Sequence, residues 1–151
     1  NEIVRYDLST QNSGEWTTIA KVNEANQRGG VAFVVEDKVY AGLGEKSNGI
    51  RNGFYVSSDS LTKWELIPSI RAQLGVISSG VYDEQKKSFF MIDNDGKIWE
   101  YNLTTEQWTS RSLWIRMKNY HMFMLDGSIY ILGQDIYQKN KFTVYNPIWD
   151  N

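Results

Sequence analysis

The chain has 151 residues and a mass of 17.5 kDa, the size of one ordinary domain. Its 16 Lys and Arg against 18 Asp and Glu leave a net charge of −2, which argues against a nucleic-acid footprint and against a polybasic anchor on anionic lipid. With no Cys there is no disulfide, no thiol nucleophile and no thiolate zinc site, and an apolar fraction of 41% is too high for wholesale disorder. Aromatic residues are abundant at 14%, whereas Pro is scarce. No run of 18 apolar residues exists to form a membrane-spanning helix. Asn1-Glu2-Ile3 lacks the basic-then-apolar pattern of a signal segment, so any targeting signal of a parent chain is expected elsewhere.

In chain order, residues 2–20 read as two strands holding Tyr6 and Trp16, and Asn23–Arg28 reads as a loop. Val31–Val35 is an unbroken apolar run, expected to be covered on both faces, and Glu36-Asp37-Lys38 turns it into Val39–Gly44. Glu45–Gly53 is the longest polar loop, leading to strands around Tyr55 and Trp64. Gly75–Tyr82, a turn at Asp83–Lys87, Phe89–Ile92, a turn at Asn94-Asp95-Gly96 and Ile98–Tyr101 form a meander that ends near Trp108. The Asp93–Asp95 cluster reads as a turn, since its spacing is too short for a calcium loop and lacks the closing Glu. Met122–Leu125, within the strand Tyr120–Leu125, is a second run expected to be covered on both faces. Asp126-Gly127, the strongest short hairpin signal, joins it to Ile129–Gly133, and Phe142–Tyr145 follows.

This pattern repeats. Arg28, Arg71 and Arg116 open successive units 43 and 45 residues apart, and Trp16, Trp64, Trp108 and Trp149 recur at 48, 44 and 41. A period in the forties with four short strands per unit marks a propeller blade. Stacking blades buries both faces of the inner strands, and indoles fill the widening wedge between blades. The run Tyr101-Asn102-Leu103-Thr104-Thr105-Glu106-Gln107-Trp108, then Arg116, then Leu125-Asp126-Gly127-Ser128-Ile129-Tyr130-Ile131-Leu132-Gly133, resembles the kelch repeat almost position by position. The likeness extends over nearly the whole chain. It departs from the family at the paired Gly after the second strand, which is Gly42-Leu43-Gly44, Asp93-Asn94 and Gly133-Gln134 here. Ser57–Trp64 also resembles the Asp-box turn of sialidase-like propellers, with Leu61 where that motif has Gly.

The resemblance implies an all-β fold: a kelch-like β-propeller segment of about three four-stranded antiparallel blades plus a partial blade, about 13 strands in all. Residues 1–151 form one partial propeller domain, with a partial blade at 2–20 and blades at about 28–68, 71–112 and 116–151. Closed propellers have roughly four to eight blades. The remaining blades are therefore expected from the parent chain or from another copy, and the open ends are expected to expose apolar flanks.

Arg28, Arg71 and Arg116 fall at the starts of the innermost strands, on one face of the disc, where their guanidiniums could grip a carboxylate bidentately. The simpler reading has each Arg packing over an aromatic ring and bonding loop carbonyls. Arg51 or Asn48 of the long loop could reach the same ligand, and Trp114 could offer a platform to a sugar ring. A mobile surface loop and inter-blade packing are the corresponding plain readings, and the second applies to Trp99 as well. His121 is the only His, which leaves a metal site or catalytic dyad poorly supported.

No catalytic or metal site and no cofactor is assigned. The copper oxidases built on kelch-like propellers need a Cys that is absent. The expected function is a non-catalytic module presenting a loop face to a protein or glycan partner. The alternative is part of a propeller enzyme acting on acidic sugars, of the sialic-acid epimerase or sialidase-like kind. Asn102-Leu103-Thr104 fits a glycan acceptor in a secreted eukaryotic protein. Composition leaves the compartment open, and the resemblance leans towards an exported protein.

Overall fold

A computed structural model describes residues 2–7, 14–21, 27–46, 49–50, 53–57, 61–68, 76–114, 117–135 and 137–146. Strands and turns make up nearly all of these, with no α-helix among the described residues. In chain order the strands are β1 (Glu2–Asp7), β2 (Glu15–Lys21), β3 (Gln27–Arg28), β4 (Val31–Val35), β5 (Lys38–Gly42), β6 (Glu45–Lys46), β7 (Gly49–Ile50) and β8 (Phe54–Ser57). They continue as β9 (Trp64–Ile67), β10 (Ile77–Asp83), β11 (Ser88–Asp93), β12 (Lys97–Asn102), β13 (Gln107–Trp114), β14 (Lys118–Leu125), β15 (Ser128–Gln134) and β16 (Asn140–Tyr145).

Thirteen of these strands form four antiparallel meanders, in the order β1-β2, β4-β5-β8-β9, β10-β11-β12-β13 and β14-β15-β16. The last three are called here the first, second and third sheets. They stack through their leading strands, β4 against β10 and β10 against β14. This is the arrangement expected of a propeller segment with three blades and a remainder. The three additional strands are two residues long and pair as β3-β6-β7.

That small sheet corrects two expectations. Gln27–Arg28, read as loop, is a strand, and Glu45–Gly53 holds a short hairpin. The reason lies in the register. Arg28 pairs with Glu45 in the same frame in which Val31 pairs with Gly42, so the β4–β5 ladder resumes beyond a break. Left-handed backbone at Gly29, Gly30 and Leu43 interrupts it, and the Leu43 N–H leaves the ladder to donate to the Gly53 carbonyl at 2.8 Å. Gly42 has φ +144°, and a Cβ there would lie 2.2 Å from the Gly53 oxygen, so only Gly fits.

The core is two slabs, one on each side of the second sheet. Towards the first sheet it sends Phe89, Met91, Trp99 and Tyr101 to meet Phe33, Phe54 and Ile67. Towards the third it sends Val81, Phe90, Ile92 and Ile98 to meet Tyr120, Met122, Ile129 and Ile131. Period-two alternation makes this possible, since neighbouring residues of β11 point into opposite slabs. Phe89 is the centre of the first slab. It stacks on Phe33 at 4.4 Å and meets Phe54 edge-on at 5.8 Å. Gly80 is small because the tip of the Phe33 ring occupies the place of its side chain, 2.7 Å from where a Cβ would sit.

Full coverage of both faces holds for β11, all six residues of which are buried, but not for the two runs from which it was expected. Val34 is 71% exposed, and Phe123 and Leu125 are exposed as well. β4 and β14 belong to the outer sheets of the stack, so each is covered on one side only. The exposed apolar flanks expected of an open arc are thus present.

The recurrent indoles do not share one role. Trp108 fills the wedge as expected, 4.8 Å from Tyr101, and its Nε1–H donates to the Pro68 carbonyl at 2.9 Å, tying β13 to the end of β9. Trp99 is buried in the same slab. Trp16 lies mostly in solvent against Tyr6, because its two-stranded sheet has no described sheet packed over that face. Trp149 lies outside the described residues. Trp64 donates its Nε1–H to the Leu61 carbonyl at 3.1 Å across the Asp-box-like turn. Leu61 has φ +60°, the left-handed backbone that Gly adopts most easily, at the place where that motif carries Gly.

Turns at the opposite ends of the sheets follow their sequence signals. Asp126 and Gly127 both have positive φ, as a two-residue type I′ turn requires, and Leu125 pairs with Ser128 across it. Asp83 accepts the Lys86 N–H, and Asn102 accepts those of Thr104 and Thr105. Asn102 also donates to Ser88 Oγ and the Lys86 carbonyl, which locks the two turns of the second sheet together. Glu100, buried on the face towards the third sheet, is neutralised by Arg111 on the adjacent strand.

Candidate functional site

One end of the sheets carries the starts of the leading strands and the turns that join second to third strands. This is the end to which the sequence assigns ligand binding. Arg28 lies there on β3, its backbone paired with Glu45, with its side chain outside the described residues. Trp114 closes β13 opposite Lys97, again with its side chain outside them. Arg51, Arg71, Arg116 and Asn48 all fall outside the described residues. The three-Arg cluster is therefore neither assembled nor dispersed by the structure.

What the structure does assemble at this end is a pair of carboxylate-capped turns. Asp93 Oδ1 accepts the N–H groups of Asp95 and Lys97, two and four residues on. The Gly96 N–H returns to the Asp93 carbonyl, and Gly96 has φ +82°. Asp135 repeats each feature: Oδ1 accepts from Tyr137 and Lys139, the Gln138 N–H returns to the Asp135 carbonyl, and Gln138 has φ +61°. The acidic cluster at 93–95 is thus a turn, as its spacing indicated. Among the described residues no group of three His, Cys, Asp or Glu could hold a metal ion.

The two turns differ in what the second carboxylate oxygen meets. Asp93 Oδ2 accepts the Trp99 indole N–H at 2.8 Å in the buried slab. Asp135 Oδ2 lies 3.8 Å from the Lys141 ammonium at the surface. Nearby, the Met117 N–H donates to the Tyr120 hydroxyl at 3.0 Å. Burial raises the Tyr120 pKa above its ordinary value, the Met117 bond works against that, and the Asp93 and Asp95 charges add to it. Tyr120 is therefore a neutral structural hydroxyl at neutral pH.

Beside the Asp135 turn a ladder of side-chain amides crosses the third sheet. Asn119 Nδ2 donates to Gln134 Oε1 at 3.2 Å, and Gln134 Nε2 donates to Asn140 Oδ1 at 3.4 Å. The ladder separates two shallow cavities. One, of about 370 Å³, is bounded by Asn119, His121, Leu132 and Asn140, and the other, of about 380 Å³, by Lys118, Asp135 and Gln138. A chain of primary amides leaves donors and acceptors over on both sides, which suits a ligand that offers both in one molecule. His121 is exposed at the wall of the first cavity, not enclosed between sheets.

A third cavity, of about 310 Å³, opens at the outer edge between the first and second sheets, with Lys38, Tyr40, Glu65, Tyr101 and Glu106 in its wall. Burial pushes the Tyr101 hydroxyl up to about 12, helped by the Glu106 charge and by Tyr40. Tyr40 is raised by burial and by Glu36. Neither phenol ionises near neutrality, so both serve this crevice as hydroxyl donors.

Sequence reading missed Asn119, Gln134, Asn140 and Asp135, since lone amides and a lone carboxylate carry no motif. A signal does exist in the repeat. Asp135 and Lys139 stand 42 residues after Asp93 and Lys97, close to the repeat period.

No protein-family model matches the chain, and no curated protein matches its sequence. Solved structures do share its fold. One is described as the structure of YjhT, at 18% identity over 80% of this chain with a TM-score of 0.57. Another is a structural genomics protein of unknown function from Bacteroides thetaiotaomicron, at 15% identity over 86% of this chain with a TM-score of 0.56. The matched parts make up 39% and 35% of those two chains, so this chain spans well under half of either. At these identities the likeness concerns the fold.

Proposed function

We propose that the chain is a non-catalytic binding module, a kelch-type propeller segment with blades at about 28–68, 71–112 and 116–151 and a partial blade at 2–20. It presents the end bearing the capped turns to a hydroxyl-rich glycan. The observation that carries this reading is the Asn119-Gln134-Asn140 ladder with a cavity on each side. Neutral amides pair with sugar hydroxyls in both directions without the desolvation cost of a charge. The same end of the sheets carries the starts of the leading strands, where Arg28, Arg71 and Arg116 are expected.

Calorimetric titration with a panel of neutral and acidic oligosaccharides tests it. A neutral glycan should bind, and Gln134→Ala with Asn140→Ala should weaken binding about tenfold or more while leaving the melting temperature nearly unchanged. No heat with any sugar contradicts the reading. Selective binding of sialic or uronic acids, lost on Arg71→Ala or Arg116→Ala, would favour the acidic-sugar enzyme instead.

A further inference from the structure

The crevice of about 310 Å³ lies between the first and second sheets, so its walls do not depend on what covers the outer faces of the stack. Register builds both walls. On the first sheet Tyr40, Val56 and Glu65 pair in turn across β5, β8 and β9 and share one face. On the second sheet Phe89, Tyr101 and Trp108 do the same across β11, β12 and β13. Tyr40 meets Phe89 at 4.9 Å, which closes the two rows on their inner side. Towards the outer strands the crevice opens between Glu65 on β9 and Glu106 in the turn before β13. There the Trp108 indole already spends its N–H on the Pro68 carbonyl.

Tyr101 stands in this wall with 3% of its surface exposed, and its hydroxyl has no hydrogen-bond partner among the described residues. A buried hydroxyl is costly to leave unpaired. The Tyr120 hydroxyl, by contrast, is satisfied by the Met117 N–H. The charges that reach the Tyr101 hydroxyl are those of Glu106 and Tyr40, both in the crevice wall, so it lies on the crevice side. Glu65 and Glu106 are exposed at the rim and form no ion pair among the described residues. Glu36 acts on Tyr40 from beside the crevice. These carboxylates outweigh the Lys38 ammonium in the same wall. The crevice thus combines an unpaired buried hydroxyl with a surplus of negative charge, and Val56 and Leu103 give it apolar lining.

We propose that this crevice binds an alkylammonium ion, whose N–H groups donate to the Tyr101 hydroxyl oxygen and to the Glu65 and Glu106 carboxylates. A phenol that keeps its proton still accepts through its oxygen lone pairs, and an ammonium has three donors and no acceptor. The methylene chain lies along Val56 and Leu103. An anionic ligand meets repulsion from the carboxylates, and a neutral one gains no charge-assisted bond from them. The site is made by other sheets and other residues than the amide ladder, and it does not rest on the glycan reading.

NMR titration tests the site by following the Trp108 indole N–H, whose acceptor Pro68 is part of the rim. Cadaverine, pentanediol and glutarate have carbon chains of equal length and separate charge from shape. Cadaverine should shift the signal saturably, and the diol and the diacid should not. Tyr101→Phe should weaken cadaverine binding about tenfold, and Glu65→Gln with Glu106→Gln by about the same factor, with the melting temperature at neutral pH nearly unchanged. Lys38→Gln should tighten binding by about threefold, the opposite sign. A lysine-bearing tripeptide tells the two sources of such an ion apart. Tighter binding of cadaverine marks a free amine and tighter binding of the peptide a lysine side chain, and either upholds an ammonium site. No saturable shift with cadaverine or the peptide, an equal response to all three equal-length probes, or cadaverine binding untouched by Tyr101→Phe overturns the proposal. Glu106→Gln alone, on an exposed turn, keeps the test decisive if Tyr101→Phe fails to fold: cadaverine binding that it leaves unchanged also overturns the site.

Discussion

The turn after β11 and the turn after β15 are built on one plan, with a carboxylate capping the N–H groups two and four residues on. Six residues beyond each Asp stands the partner of its second oxygen, Trp99 in one and Lys141 in the other. A further difference lies on the outward faces. Equivalent registers of the two sheets hold Val81, Phe90, Ile92 and Ile98 in the second but His121, Leu132, Gln134 and Asn140 in the third. The first set is a dry core and the second borders a cavity. The comparison shows how a repeat divides its work. Backbone geometry is held by one capping side chain, and the strand positions beside it are then free to pack in one unit and to border an open cavity in another.

The largest test of this contrast is in the rings. Phe89→Ala should cost about 3–5 kcal/mol in urea denaturation, because a fully buried ring at the centre of five aromatic contacts leaves a cavity. Phe123→Ala, on the open flank, should change the stability of the isolated chain by about 0.5 kcal/mol or less. Equal losses at the two sites would remove the distinction between inner and outer sheets.

The caps come next. Asp93→Ala strands a buried indole N–H along with two backbone donors and should cost about 2–3 kcal/mol. Asp135→Ala leaves its donors near water and should cost about 1 kcal/mol. A reversed order would mean that burial does not set the value of the cap.

Much of the fold was legible in the sequence because strands and tight turns are local. Asp126-Gly127 specifies a type I′ turn by its own backbone preferences, and the alternation in Ile98–Tyr101 sorts side chains between two slabs. The thirteen main strands follow from such signals. Coverage is not local. Val31–Val35 and Ser88–Asp93 are both rich in apolar residues, yet only the second is buried on both faces, because only its sheet has a neighbour on each side. The short strands β3, β6 and β7 were hidden for a related reason: they are held by register with the ladder below them and not by their own polar residues. The amide ladder was invisible because Asn119, Gln134 and Asn140 meet only when three strands align.

Alkaline pH offers a smaller effect. The Tyr101 hydroxyl keeps its proton in the folded chain up to about 12, whereas an unfolded tyrosine loses it near 10. Its contribution is complete below pH 10 and fades as the pH rises towards 12. Melting temperature should fall across that window, and Tyr101→Phe should make the fall shallower. A slope unchanged by Tyr101→Phe would assign the effect to the other phenols with raised pKa, Tyr40, Tyr82 and Tyr120. Smallest of all, Leu61→Gly should raise stability by up to about 1 kcal/mol by relieving left-handed backbone, seen as a slightly higher urea midpoint. A lower midpoint would mean that the leucine side chain contributes more packing than its backbone costs.

Amide hydrogen exchange in dilute solution tests the layered stack most directly. β11 and β12, walled in by a sheet on each side, should exchange only when the whole chain unfolds, while β16 and the β1–β2 pair should open locally and exchange far sooner. Equal protection across all of them, or slower exchange in β16 than in β11, would contradict a second sheet held between two half-covered neighbours.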